Sequence, residues 1–267
     1  MSTNTYLQGI ASKLVLSEDE KKSIRKSIDT LELHLRNWEH YDSIEYHGYF
    51  GSFSRSTILP RQYDSDSDID YMIKFKDAFN ITPQTYLNWL KQFANKYYSR
   101  SEIHQDYPTI VLELNHIKFE LVPAVCPWGG NGLQIPAPRS SILKWINTDP
   151  EQLKAAELNA NSRCGYLLKP MIRLMKYWNI RNGRIVSSYE LEKYLSSLVY
   201  IGCKTLEDYF YYAVDNMFFA NLSATGRFRL DRLKEKVKQI KQYKSQWNEI
   251  KAEETLKGII AIYDKRE

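Results

Sequence analysis

Two aspartates at alternate positions, Asp68-Ile69-Asp70, follow a Gly51-Ser52 pair that closes an apolar run at Phe50. On an extended strand, residues two apart project to one face, so Asp68 and Asp70 would share a pocket. Adjacent carboxylates raise each other's pKa unless a cation neutralises them. Hard divalent ions prefer oxygen donors, and a pair of Mg²⁺ ions (or Mn²⁺) carrying a triphosphate would satisfy that charge. Gly51 lets backbone approach a phosphate closely, and Ser52 offers an N–H and a hydroxyl to its oxygens. A short helix beginning at Ser52 would add a favourable dipole for the β- and γ-phosphates. Gly-Ser alone is an ordinary turn; its place ahead of Asp-x-Asp gives it weight.

A third carboxylate is expected from a neighbouring strand. Glu120, between Phe119 and Leu121, has the required alternation, and Glu113, between Leu112 and Leu114, is its competitor. Glu120 is favoured because its segment leads to Pro123, near a strand end where sites tend to open. In a two-metal site one ion activates the attacking hydroxyl and the other holds the triphosphate and the leaving pyrophosphate. Glu120 would serve as ligand and as general base toward the acceptor hydroxyl. Asp64 and Asp66 continue the alternation upstream and read as a solvated acidic loop. Farther along, Lys176 lies in a mostly apolar helical stretch, where a lysine ordinarily snorkels to solvent. Ser187-Ser188-Tyr189 opens the next helix and has the form of an N-cap. Together these residues could complete a triphosphate cradle, with Tyr189 stacking on the donor base.

The elements that must position these groups follow from periodicity. Ser17 and Glu20 form a capping box, and Ile24, Ile28, Leu31 and Leu35 continue at helical spacing, which predicts a long helix from about Glu18 to Trp38. Ile44 to Phe50 and Asp68 to Phe75 read as strands. Pro83 opens a helix with Leu87, Leu90, Phe93 (or Ala94) and Tyr97 inside. Ile110–Leu114 and Ile117–Val122 read as two more strands around the turn at Asn115-His116. From Trp128 to Pro138, Gly, Asn and Pro mark a loop and a boundary between lobes. Beyond it the pattern is helical over Tyr166–Ile180, with Pro170 in its first turn or at a kink, and over Ser188–Tyr200. A charged helical stretch, Leu230–Tyr263, carries Leu233, Val237, Ile240 and Trp247 as its inner face. This predicts an α+β chain: a small mixed α/β lobe, then an α-helical lobe.

Composition narrows the class. At 267 residues the chain can bury a sizeable core, and no run approaches a membrane span. The polar N-terminus lacks a secretion signal, and Cys126, Cys164 and Cys203 fall in no CxxC pair. Reduced thiols in a cytoplasmic protein are expected. The net charge of +5 permits an anionic partner, and the 20 tyrosines could stack on bases, although most would pack.

The strings Phe50-Gly51-Ser52-Phe53-Ser54-Arg55-Ser56-Thr57, Asp68-Ile69-Asp70 and Phe119-Glu120-Leu121-Val122-Pro123-Ala124 resemble the bacterial cGAS/DncV-like nucleotidyltransferases (CD-NTases, the SMODS domain). Leu174-Met175-Lys176-Tyr177 and Ser187-Ser188-Tyr189 resemble the triphosphate-binding helix and base-stacking segment of animal cyclic GMP–AMP synthase. The resemblance runs from the first helix to at least Tyr200. It implies a polymerase-β-like nucleotidyltransferase core, a mixed sheet with flanking helices and a long N-terminal spine helix over residues 1–145. A C-terminal helical lobe like those of oligoadenylate synthases and poly(A) polymerases would follow over 146–267, with the active site in the cleft between.

By the same resemblance Asp68, Asp70 and Glu120 would be the catalytic metal triad. Gly51, Ser52, Lys176, Ser188 and Tyr189 would hold nucleotide. The implied activity joins ATP and other nucleoside triphosphates into a cyclic di- or trinucleotide, which signals phage infection (CBASS) to a downstream effector through a diffusible product. The third acid is Glu where many relatives carry Asp. No Cys/His cluster resembles the DNA-sensing zinc module of animal relatives, so a DNA activator is not expected, nor is a membrane partner. The C-terminal Asp264-Lys265-Arg266-Glu267 lacks the terminal small residue some relatives conjugate, which makes a ligase-type partner less expected.

Two other classes compete. A template-independent transferase adding nucleotides to RNA, or AMP to a protein, would want a basic groove, which Arg227, Arg229, Arg232, Lys234, Lys236, Lys238, Lys241 and Lys244 could supply. With Asp231 and Glu235 interleaved, the preferred reading of that run is a solvated helix face. A catalytically dead module of the same fold need not retain Asp68, Asp70, Glu120 and Ser52.

Overall fold

A computed structural model describes residues 2–76, 81–127, 132–138 and 141–262. In chain order the elements are α1 (Thr3–Lys13), α2 (Glu18–Arg36), β1 (Ile44–Tyr49), α3 (Gly51–Arg55), β2 (Asp68–Phe75), α4 (Pro83–Tyr97), β3 (Glu102–Asp106), β4 (Thr109–Glu113), β5 (Lys118–Val125), β6 (Leu133–Pro136) and β7 (Trp145–Thr148). Six helices follow: α5 (Pro150–Arg163), α6 (Leu168–Arg181), α7 (Ser188–Ser197), α8 (Leu206–Asn216), then α9 (Ala224–Ser245) and α10 (Glu249–Lys257). The chain divides into two compact units: Leu16–Lys154, and Met1–Val15 with Ala155–Glu267.

The first unit is a mixed sheet with flanking helices. Its strands run in the order β1-β2-β5-β4-β3, with β6 joined to β5 and β7 to β6. β2 and β5 are parallel; β1–β2, β3–β4, β4–β5, β5–β6 and β6–β7 are antiparallel. Parallel neighbours require a crossover, and α4 supplies it. Ile69, Tyr71, Ile73 and Phe75 of β2 and Phe119 and Leu121 of β5 pack with Ile24, Ile28, Leu31 and Leu35 of α2 and Leu87, Leu90 and Phe93 of α4. Burial of each such side chain contributes about 1.5–3 kcal/mol, so the register of β2 and β5 is strongly fixed. Since side chains alternate, residues 68, 70, 118 and 120 face the other way.

The capping box of α2 is present: Ser17 N–H donates to Glu20 Oε2 at 2.7 Å, and Glu20 N–H to Ser17 Oγ at 3.2 Å. That helix stops at Arg36, but Trp38 is still buried, its ring 5.2 Å from that of Phe93.

The second unit is helical. Tyr6 and Tyr177 donate to the carbonyls of Ile260 and Ala261, each at 3.0 Å. Thr3 of α1 donates to buried Glu207 of α8, which also receives the ammonium of Lys244 from α9. Pro170 sits in the first turn of α6, where its missing N–H costs nothing.

Two expectations change. The stretch expected as a loop over Trp128–Pro138 ends in a strand, β6, held by Val125↔Gln134 and by β7; Trp128 to Asn131 lie outside the described residues. Local Gly and Pro content carries no information about a distant pairing partner, and β6 forms because β7 exists. The single helical stretch to Tyr263 is two helices. Trp247 has φ 58°, a left-handed conformation that ends α9, and its side chain is 93 % exposed. Leu233, Val237 and Ile240 are buried as expected, whereas Trp247 turns outward. Tyr263 and the C-terminal Asp264–Glu267 lie outside the described residues. Cys126, Cys164 and Cys203 form no disulfide among the described residues, and no described helix is long and apolar enough to cross a membrane.

Candidate active site

Parallel pairing of β2 with β5 sets Asp68 against Lys118 and Asp70 against Glu120. All four therefore share the sheet face opposite the core. The Lys118 ammonium lies 3.4 Å from Asp68 Oδ2 and 3.3 Å from Glu120 Oε1. Burial pushes the Asp68 carboxyl up to about 7, the nearby Glu120 charge adds to this, and Lys118 pulls the other way. Burial opposes the charge on Lys118, but the attraction of Asp68 and Glu120 outweighs it and holds the ammonium above its ordinary value.

Asp70 meets the other half of the motif. Phe50 N–H donates to the Asp70 carbonyl at 2.9 Å, which sets Gly51 directly beside that residue. Gly51 has φ 65°, and a Cβ there would lie 1.7 Å from Asp70 Oδ2. The Asp70 carboxylate fills the space any larger residue at 51 would need. The short helix begins at Gly51, one residue before the expected start, after extended Phe50. The Ser52 carbonyl accepts from Thr57 N–H at 2.9 Å and Ile58 N–H at 3.2 Å, which folds the segment back toward β2.

The remaining acids separate. Asp64 is buried and its Oδ1 accepts the Asp66 N–H at 3.1 Å, so it shapes the turn; only Asp66 is the solvated residue expected of both. Glu113 shares the face, in register with Lys118, but lies 3.6 Å from the Arg61 guanidinium.

Among the described residues no set of three or more His, Cys, Asp or Glu side chains is gathered closely enough to hold a metal ion as placed. Asp68 and Glu120 converge, while Asp70 turns to Gly51. The donor set nevertheless fits a hard divalent cation: it is all carboxylate oxygen, and Asp68 and Glu120 share the single Lys118 ammonium.

In the helical unit, Lys176 does not snorkel. It is 4 % exposed, and its ammonium lies 2.8 Å from Oε1 of Glu192, which is fully buried. Arg173 and Glu157 are buried on neighbouring helices of the same unit, and burial lowers the Arg173 pKa against the attraction of Glu157. Ser187 is the N-cap of α7, accepting the Glu190 N–H at 3.2 Å; Ser188 is the first helical residue and Tyr189 is half exposed. The basic run lies on α9, where Arg229 donates to the Asn182 carbonyl and Lys241 and Lys244 pair with Asp215 and Glu207. Sequence reading missed Lys118 and Glu192. Lys118 was accessible, standing two residues before Glu120; nothing local marked Glu192.

A mixed sheet whose parallel central pair carries carboxylates on one face beside a Gly-Ser turn is the core of a polymerase-β-like nucleotidyltransferase. Residues 1–161 match the model of the Second Messenger Oligonucleotide or Dinucleotide Synthetase domain (SMODS), and the chain belongs to that DncV/cGAS-like family. No curated protein matches the sequence. Among solved structures, Vibrio cholerae DncV cyclic AMP-GMP synthase with the linear intermediate 5' pppA(3',5')pG superimposes with TM-score 0.72 at 13% identity, over 97% of this chain and 95% of that one. The Rhodothermus marinus CdnE c-UMP-AMP synthase with Apcpp and Upnpp gives 0.64 at 15% identity, over 90% and 97%. Escherichia coli MS115-1 CdnC with ATP gives 0.63 at 16% identity, over 84% and 77%. These likenesses are of fold.

Proposed function

We propose that the protein joins nucleoside triphosphates, ATP among them, into a cyclic di- or trinucleotide second messenger, releasing pyrophosphate. Its place would be bacterial antiphage (CBASS) signalling, with a downstream effector reached by the diffusible product. Membership of a synthetase family supports the reaction class. The synthase activities of Vibrio cholerae DncV and Rhodothermus marinus CdnE support a cyclic product. The observation that carries the reading is the convergence of Asp68 and Glu120 on one face of β2 and β5, next to the Asp70–Gly51 contact.

In this reading Asp68, Asp70 and Glu120 hold two Mg²⁺ ions. Such ions, when bound, would lower the pKa of the acceptor hydroxyl and neutralise the departing pyrophosphate. Glu120 takes the proton of the acceptor hydroxyl. Gly51 and Ser52 present N–H groups to phosphate oxygens, and Gly51 permits the close approach. Lys176, Ser188 and Tyr189 are assigned to nucleotide by the same reading. For Lys176 this requires its pair with Glu192 to open.

The test incubates purified protein with labelled ATP, CTP, GTP and UTP and Mg²⁺ or Mn²⁺, followed by phosphatase and mass spectrometry. A phosphatase-resistant cyclic oligonucleotide, absent from the Asp68→Asn/Asp70→Asn variant, is the expected result. Label transferred to RNA or protein, or a product that survives in the variant, would overturn the reading.

A further inference from the structure

The proposed reaction uses three carboxylates and gives Lys118 no part. Yet its ammonium bridges two of them, 3.4 Å from Asp68 Oδ2 and 3.3 Å from Glu120 Oε1. The backbone puts it there: Lys118 is in register opposite Asp68 and two residues before Glu120 on the same strand face. Its side chain is 17% exposed and those of Asp68 and Glu120 27% and 24%, so water screens these contacts weakly. One ammonium against two carboxylates still leaves a net negative charge, which keeps a divalent cation attracted.

We propose that Lys118 is a tethered competitor for the cation: its ammonium and a divalent ion seek the same two carboxylates, so metal binding draws the Lys118 side chain away from Asp68 and Glu120. The inference rests on the metal reading of Asp68, Asp70 and Glu120. A lysine suits the task, because a point charge on a flexible four-carbon stem can leave one partner for another. Being tethered, it competes at a fixed, high effective concentration. Two consequences follow from the charges. Free metal ions bind weakly, and a nucleoside triphosphate strengthens metal binding by giving the displaced ammonium an anionic partner. Lys118 is thus a positioning residue that couples cation entry to nucleotide entry.

The test is a Mn²⁺ titration of the full chain without nucleotide, following the magnetic resonance signal of free Mn²⁺. Lys118→Met should bind Mn²⁺ about ten- to a hundredfold more tightly than wild type, the range set by losing hydrogen bonds between charged groups. Its further gain on adding a non-hydrolysable ATP analogue should shrink. In the wild-type chain, where no variant has to fold, Mn²⁺ should speed the acylation of Lys118 by acetic anhydride, read by peptide mass spectrometry. Unchanged or weaker Mn²⁺ affinity in Lys118→Met, or protection of Lys118 by Mn²⁺, overturns the proposal. If Asp68→Asn/Asp70→Asn loses Mn²⁺ while Lys118→Met gains nothing, only the role of Lys118 falls. If that double variant binds Mn²⁺ as wild type does, the metal reading falls with it.

Discussion

Lys118 and Lys176 each reach a buried or half-buried carboxylate, yet their surroundings give the two contacts opposite meanings. Lys176 and Glu192 form an ion pair, 2.8 Å apart and sealed at 4% and 0% exposure. The pair joins α6 to α7. On the sheet, one ammonium faces Asp68 and Glu120 together, with Asp70 alongside, and the group is partly open to water. A sealed ion pair inside a protein fixes geometry; carboxylates that outnumber their ammonium and stay partly open to water invite a ligand. A residue-type motif cannot distinguish these cases, because both are lysines among carboxylates.

The largest effect should come from breaking the sealed pair. Glu192→Gln removes the carboxylate that faces the buried Lys176 ammonium and should cost about 3–5 kcal/mol in urea unfolding. Lys176→Met leaves the buried Glu192 carboxylate without that ammonium and should destabilise by a similar amount. A variant at Lys176 that keeps full stability but raises KM for ATP would show that the pair is not structural, and the comparison would break.

Gly51→Ala should follow in size. Left-handed backbone at a residue with a Cβ costs about 1–2 kcal/mol, and the added carbon must also displace the Asp70 carboxylate. Stability should fall modestly while metal affinity falls sharply, measured by thermal melts with and without Mn²⁺. Equal Mn²⁺ affinity in the variant would detach Gly51 from the site.

A pH series sharpens the contrast further. The native Asp68 carboxyl is raised from 3.8 to about 7, so between those values the folded chain holds a proton that the unfolded chain releases. Through Asp68, stability is therefore lost as pH rises across that window and levels off above it. In chelator, Asp68→Asn should match wild type near pH 4 and be the more stable of the two at pH 8. Added Mg²⁺ should close that gap by stabilising the ionised wild type. A variant less stable than wild type at pH 8 in chelator would contradict an unbalanced site. The smallest effect belongs to Glu113→Gln. Its contact with Arg61 is 3.6 Å long with both side chains 30% exposed, and its loss should cost under about 1 kcal/mol and leave turnover near wild type. Strong loss of turnover would move the third acid from Glu120 to Glu113.

Much of this was legible locally. The Ser17–Glu20 box, the apolar stripe of α2 and the alternation through Asp68 to Phe75 are short-range patterns, and each formed the element its residues prescribe. Trp247 shows the limit: its spacing fits the inner face of α9, but a left-handed turn at the residue itself ends the helix and sends the ring outward. β6 shows another, since a short strand exists only through the partner that pairs it.

By itself, the sequence determined which side chains share a face, because side-chain direction along a strand or helix depends on position in the chain alone. It thereby set Asp68 with Asp70, Lys118 with Glu120, and both sets away from the apolar core. Tertiary structure decided which strand lies beside which and what surrounds each charge. Parallel pairing of β2 with β5 set Lys118 opposite Asp68, and the packing of α6 on α7 closed Glu192 around Lys176. Electrostatic energy depends on distance in space and on solvent, and neither is a property of neighbours in sequence.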